Sequence, residues 1–191
     1  MTSALICGVS GPVLTAGERA FLRDADPWGL ILFRRNIESP AQLRDLTAAF
    51  RDEVGRADAP VLIDQEGGRV QRLAAPFWPA YPPARVFGDL YDADPPAGLA
   101  AARLVTRLIG EDLAKLGISV DCLPVADVPQ PGSHDIIGDR AYHTRPEAAA
   151  LLARAAMEGL MAAGVLPVVK HIPGHGRATA DSHHALPVVD T

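Results

Sequence analysis

At 191 residues, 48% hydrophobic and 21% charged, the chain has the balance of a soluble globular domain with enough apolar material for one sizeable core, which excludes disorder. The formal net charge is -5 and the 18 Lys and Arg are scattered, so no basic stripe exists to follow a phosphate backbone and nucleic acid is excluded as a partner. No window approaches the roughly 20 apolar residues needed to cross a bilayer, and no basic amphipathic helix suggests a membrane anchor. The N-terminus reaches Gly8, Ser10, Gly11 and Pro12 too early for an export signal, so the cytoplasm is the expected compartment. Cys7 and Cys122 lie in apolar runs and read as reduced core residues.

In chain order, Ala4 to Val9 is a predicted strand and Gly17 to Asp24 a short amphipathic helix. Gly29 to Phe33 is a second strand. Ser39 and Pro40 then supply the N-cap and first turn of a helix running to about Val54. Pro60 to Asp64 is a third strand, and the Gly- and Pro-rich stretch from Gln65 to Pro96 reads as a long loop. A helix over Ala97 to Leu116 stops at Gly117, and Ile118 to Leu123 is a fourth strand. Pro124 to Thr144 is a second long loop, Pro146 to Ala163 a helix ended by Gly164, and Val165 to Lys170 a fifth strand. A sixth strand is expected to start at Leu186.

Near-continuous apolar strands alternating with helices predict an α/β fold with a parallel sheet buried on both faces. A closed (β/α)8 barrel and an open doubly wound sheet compete. No Gly-x-Gly-x-x-Gly turn follows the first strand, and the polar residues of interest follow several strand ends, which favours the barrel. A complete barrel takes about 250 residues. Residues 1–191 are therefore expected to form the N-terminal portion of one barrel domain, supplying its first five to six strands. Such a half-open sheet is expected to aggregate or pair with another chain through its edge.

The densest chemistry lies in Lys170-His171-Ile172-Pro173-Gly174-His175-Gly176 and the nearby Asp181-Ser182-His183-His184. Four of the six histidines fall within residues 171–184, where glycines and a proline prevent a helix. Asp181 and His183 are two residues apart. If the loop folds back, the carboxylate can hold one imidazole nitrogen while the other faces a substrate, which makes His183 a candidate general acid/base. A zinc site is the competing reading, but no established ligand spacing such as His-Glu-x-x-His is present, so no metal is assigned.

A second cluster, Asp64-Gln65-Glu66-Gly67-Gly68-Arg69-Val70-Gln71-Arg72, also follows a strand. A carboxylate beside guanidinium groups can grip vicinal hydroxyls, as polar sugars are commonly held. Taken alone, the segment reads rather as a turn capped by Asp64 with Arg69 and Arg72 solvated. In Ile136-Ile137-Gly138-Asp139-Arg140-Ala141-Tyr142, Arg140 follows a turn that can reach the same pocket, and Lys170 at the end of strand five points into it.

These three stretches resemble glycoside hydrolase family 3, in particular its single-domain bacterial β-N-acetylhexosaminidases of peptidoglycan recycling. The resemblance covers essentially the whole chain. It implies that Asp64, Arg72, Arg140, Lys170 and His171 bind N-acetylglucosamine, that His183 is the acid/base, and that Asp181 orients it. It implies a retaining double displacement with no cofactor, a small muropeptide-type carbohydrate as substrate, and a monomeric full-length protein. The family's nucleophile is an aspartate in a later Ser-Asp-Asp-type motif. Asp190 sits in a connecting stretch and does not match it, so the 191 residues alone are expected to be inactive or to act only as a sugar-binding module.

Overall fold

The computed structural model describes residues 1–172 and 174–189. Pro173 and Asp190, named above, lie outside the described residues.

A five-stranded parallel sheet organises the chain: β1 (Ser3–Cys7), β2 (Pro27–Leu32), β3 (Val61–Ile63), β6 (Val120–Asp121) and β7 (Leu166–Pro167), hydrogen-bonded in that spatial order. Between β3 and β6 a small antiparallel hairpin, β4 (Gln65–Gly67) and β5 (Val70–Gln71), stands apart from the main sheet. The strands join the sheet in sequence order without reversal. A doubly wound fold needs a point where the order switches, whereas a barrel adds each strand beside the last. The barrel expectation is met.

The helices form where local chemistry predicts. At α1 (Ala16–Ala25) Thr15 and Glu18 make a reciprocal capping box. At α2 (Pro40–Val54) Ser39 accepts a hydrogen bond from the Gln42 amide, Pro40 sets the first turn, and Gly55 closes the helix at φ 65°. Leu43, Leu46 and Phe50, spaced for one helix face, are fully enclosed; each contributes roughly 1.5–3 kcal/mol by leaving water. Then follow α3 (Ala84–Ala93), α4 (Pro95–Ala114) and α5 (Pro146–Ala162). The core joins Leu30, Leu32, Val61 and Ile63 of the sheet to Leu22, Phe50, Ile109, Leu113, Leu152 and Leu160 of the helices.

Several expectations need correction. The stretch from Gln65 to Pro96 is not one loop, since it contains the β4–β5 hairpin and α3. Its prolines fall before α3, up to Pro83, and after it at Pro95 and Pro96 in the first turn of α4, so they delimit that helix rather than forbid it. The strand expected from Leu186 does not form over residues 186–189, and the described sheet has five strands, within the expected five to six. The outer strands are also not buried on both faces. Ile6 of β1 is 43% exposed and Leu166 of β7 is 61% exposed, because each lies at an edge with a neighbour on one side only. Cys7 and Cys122 are free, as expected, but both are only half-buried.

Candidate active site

In a parallel sheet every strand ends at the same edge, so residues far apart in sequence meet there. Ile63 pairs with Asp121 in register, which brings Asp64, Cys122 and the loops after them side by side. The loop after β7 joins through a bridge between Val125 and Lys170 and the bond from the Ala126 amide to the Lys170 carbonyl, 2.8 Å. The result is a cavity of about 430 Å³ whose walls include Asp64, Arg72, Cys122, Arg140, Lys170, His171, His175 and His183.

An alternating network of charges forms its floor. Lys170 Nζ donates to Asp64 Oδ1 at 2.8 Å and lies 2.6 Å from Glu66 Oε1. Arg72 Nη2 donates to Asp64 Oδ2 at 3.1 Å, and Arg140 grips Glu66 with both arms at 2.8 and 2.9 Å. Burial works to raise the Asp64 pKa, but Lys170 and Arg72 outweigh it and hold the carboxyl below its usual range. For Lys170, burial opposes the charge while Glu66 and Asp64 outweigh it, so its pKa stands above the ordinary value. Arg72 and Arg140 are therefore not solvated side chains. Their charges are matched within the wall, while the enclosed Arg72 Nε has no partner. Three cations paired with two carboxylates set donors and acceptors side by side, which suits a hydroxyl-rich ligand that can accept from one and donate to the other.

Arg69, read as solvated, instead docks two loops together. Its Nη2 donates to the carbonyls of Asp135, Ile136 and Ile137, and its Nε to Asp139, which fixes the segment that presents Arg140.

The Asp181–His183 pair forms as its spacing suggests. Asp181 Oδ1 accepts the His183 backbone N–H at 2.9 Å and lies 2.7 Å from His183 Nδ1. The His183 hydrogen bonds hold Asp181 below the usual carboxylate range. The imidazole, 76% exposed, stands at the cavity mouth with Nε2 turned away from its carboxylate. His175 has both ring nitrogens enclosed and without hydrogen-bond partners, whereas His184 is exposed. Among the described residues no three His, Cys, Asp or Glu side chains converge as a metal site requires.

Sequence reasoning assigned no role to Glu66, Asp121, Asp127 or His175. Glu66 stood inside a quoted motif, but nothing local showed that it would pair with Arg140 and Lys170. Asp121 is fully buried; its Oδ1 accepts the Gln65 N–H at 3.0 Å while Oδ2 has no partner. Burial pushes its carboxyl well above the ordinary range, and the Gln65 amide and the Lys170 charge do not offset this. The unfolded chain releases this proton near pH about 3.9, whereas the folded protein retains it to higher pH. Stability from this group is thus complete below the unfolded pKa and lost as pH rises toward the folded one. Asp121→Asn should remove that loss, so its stability relative to the unaltered protein should increase between pH about 5 and about 8 in urea unfolding. A difference constant with pH would show that Asp121 titrates alike in both states.

Comparison with known proteins follows this geometry. The model of the glycosyl hydrolase family 3 N-terminal domain matches residues 13–191. A β-hexosaminidase of Pseudomonas aeruginosa is 42% identical over 187 residues, covering 98% of this chain and 54% of that protein. One of Nitrosomonas eutropha is 41% identical over 181 residues, covering 94% of this chain and 51% of that protein. The crystal structure of native NagZ from Neisseria gonorrhoeae superposes with a TM-score of 0.90 at 37% identity, over 97% of this chain and 54% of that one. The chain spans about half the length of the curated relatives it matches. With its ascending parallel sheet, its polar cavity at the strand ends and a family model matched from residue 13 onward, the chain belongs to glycosyl hydrolase family 3.

Proposed function

We propose that the chain supplies the sugar-binding side and the acid/base of a retaining β-N-acetylhexosaminidase. The carrying observation is the meeting of Asp64, Arg72, Arg140, Lys170 and His171 in one cavity with the Asp181–His183 pair at its mouth. In this reading the five residues hold a terminal β-linked N-acetylglucosamine, with Asp64 accepting from its hydroxyls and the cations donating to them. His183 Nε2 protonates the departing glycosidic oxygen and then takes a proton from water, and Asp181 holds Nδ1 to keep that nitrogen in place. Such acid/base transfer is worth roughly 10²–10⁴ in rate.

Double displacement also needs a carboxylate to form the glycosyl-enzyme bond, and by this reading it is not among the 191 residues. The same reading makes residues 1–191 the N-terminal portion of one barrel domain, with a muropeptide substrate, a cytoplasmic site of action and a monomeric whole protein. β-Hexosaminidase is the name of the relatives that match at about 40% identity, which supports the choice of reaction.

The test pairs binding with turnover. The 191-residue chain is titrated with N-acetylglucosamine, and the product of the open reading frame, read to its stop codon, is assayed on 4-nitrophenyl N-acetyl-β-glucosaminide. Saturable binding, and turnover abolished by His183→Ala, are expected. Neither binding nor turnover, or turnover indifferent to His183→Ala and Asp181→Ala, would remove the proposal.

A further inference from the structure

Besides the exposed Asp181–His183 pair, the chain builds a second aspartate–histidine pair in the cavity wall. Asp127, in the loop after β6, has a completely enclosed side chain. Its Oδ2 lies 2.6 Å from His171 Nδ1, and its Oδ1 accepts the His175 backbone N–H at 2.6 Å. The seam around it is closely packed. The Gln130 amide donates to the Gly176 carbonyl at 2.8 Å, and a Cβ at Gly176 would fall 2.2 Å from the Val128 carbonyl oxygen, so the two loops touch backbone to backbone.

The tautomer of His171 follows from its neighbours. Burial works to raise the Asp127 pKa, but the bonds from His171 and the His175 amide outweigh it, so the group is a carboxylate that can only accept. Nδ1 must therefore carry the hydrogen. On the other side, Nε2 lies 3.4 Å from Arg140 Nη2, which can only donate. An N–H at Nε2 would face a guanidinium, whereas a lone pair is compatible with it. At 3.4 Å this contact is long, leaving the lone pair able to take a better donor.

We infer that Asp127 is a positioning residue that locks His171 as the Nδ1–H tautomer, so that Nε2 accepts a hydrogen bond from a ligand hydroxyl. Arg72, Arg140 and Lys170 can only donate, so Nε2 is an uncharged acceptor in a wall whose carboxylates, Asp64 and Glu66, are already held by cations. A hydroxyl group, donor and acceptor at once, is the ligand chemistry that uses both. This rests on the reading of the cavity as a sugar site, and the test separates the two.

Long-range nitrogen-15 correlation spectra of the labelled 191-residue chain, with His171→Gln to assign the signals, report the protonated nitrogen directly. The expected result at neutral pH is a protonated Nδ1 and a bare Nε2, with the Nε2 signal moving when N-acetylglucosamine is added. Asp127→Asn can turn its amide N–H toward Nδ1; it should move the proton to Nε2 and weaken N-acetylglucosamine binding about tenfold or more. A protonated Nε2 in the unaltered chain overturns the inference without any variant. So does a folded Asp127→Asn protein with unchanged tautomer and affinity. The expected tautomer with an Nε2 signal indifferent to the sugar leaves the tautomer lock standing and removes the sugar-site reading instead.

Discussion

Glu66→Ala should cost about 3–5 kcal/mol of folding stability, the range for removing one member of a buried charge network. The Glu66 side chain is 4% exposed and meets two cations that are themselves enclosed, Arg140 at 11% and Lys170 at 13%. Lys170 keeps Asp64 as a partner, but Arg140 loses both arms of its grip and retains only the Ile136 carbonyl, 3.2 Å, and the long contact to His171. An uncompensated guanidinium in the wall then either stays desolvated or swings out with its loop. Glu66→Gln keeps the shape and one acceptor and should cost less than the alanine variant. Urea unfolding of both variants measures the difference, and calorimetric titration with N-acetylglucosamine should show weaker binding in both. A loss below about 1 kcal/mol for Glu66→Ala would mean that water replaces the carboxylate.

The second large effect is steric. Gly88 in α3 lies against the segment that follows Arg140, and a Cβ there would fall 1.8 Å from the Tyr142 carbonyl oxygen. Backbone cannot yield as the tip of a side chain can. Gly88→Ala gains about 1 kcal/mol of helix propensity, yet it must force α3 away from a segment whose Tyr142 is buried and stacked on Phe87 at 6.4 Å. Overpacking of this kind costs typically 1–3 kcal/mol, occasionally more. With backbone as the obstacle the upper end applies and the net change is destabilising. Displacement of the same segment should also shift Arg140 and weaken sugar binding. Gly159→Ala in α5 is the control: its Cβ would meet Thr106 Oγ1 at 2.1 Å and the Arg103 carbonyl at 2.3 Å, wedging α4 from α5 without touching the loop of Arg140. It should lower the unfolding midpoint as much while leaving N-acetylglucosamine affinity nearly unchanged in the folded protein. Equal loss of affinity in both variants would show that the effect at Gly88 is global rather than local.

How much of this was legible beforehand follows the range of each interaction. The start of the helix at Pro40 was legible, because the Ser39 cap and the Pro40 ring act on their own neighbours. The pairing of Asp181 with His183 was legible for the same reason, the partners being two residues apart. The alternation of apolar strands with helices determined an α/β fold, and the place of the polar loops after strand ends favoured a barrel.

Tertiary structure alone decided the rest. Glu66 is 74 residues from Arg140, and Asp127 is 44 from His171; no local pattern marks either partnership, which exists only because parallel strands end at a common edge. The helix after Pro83 was hidden by its Pro-rich surroundings, since its register is set by packing Phe87 on Tyr142 rather than by strong caps. Exposure of the edge strands was equally invisible, because burial depends on whether a neighbour lies alongside and not on apolar composition. The sequence by itself determined which segments form and which residue types gather after each strand. Only the closing together of those strand ends decided which acid faces which base, because charge and hydrogen-bond geometry act over a few ångströms whatever the separation along the chain.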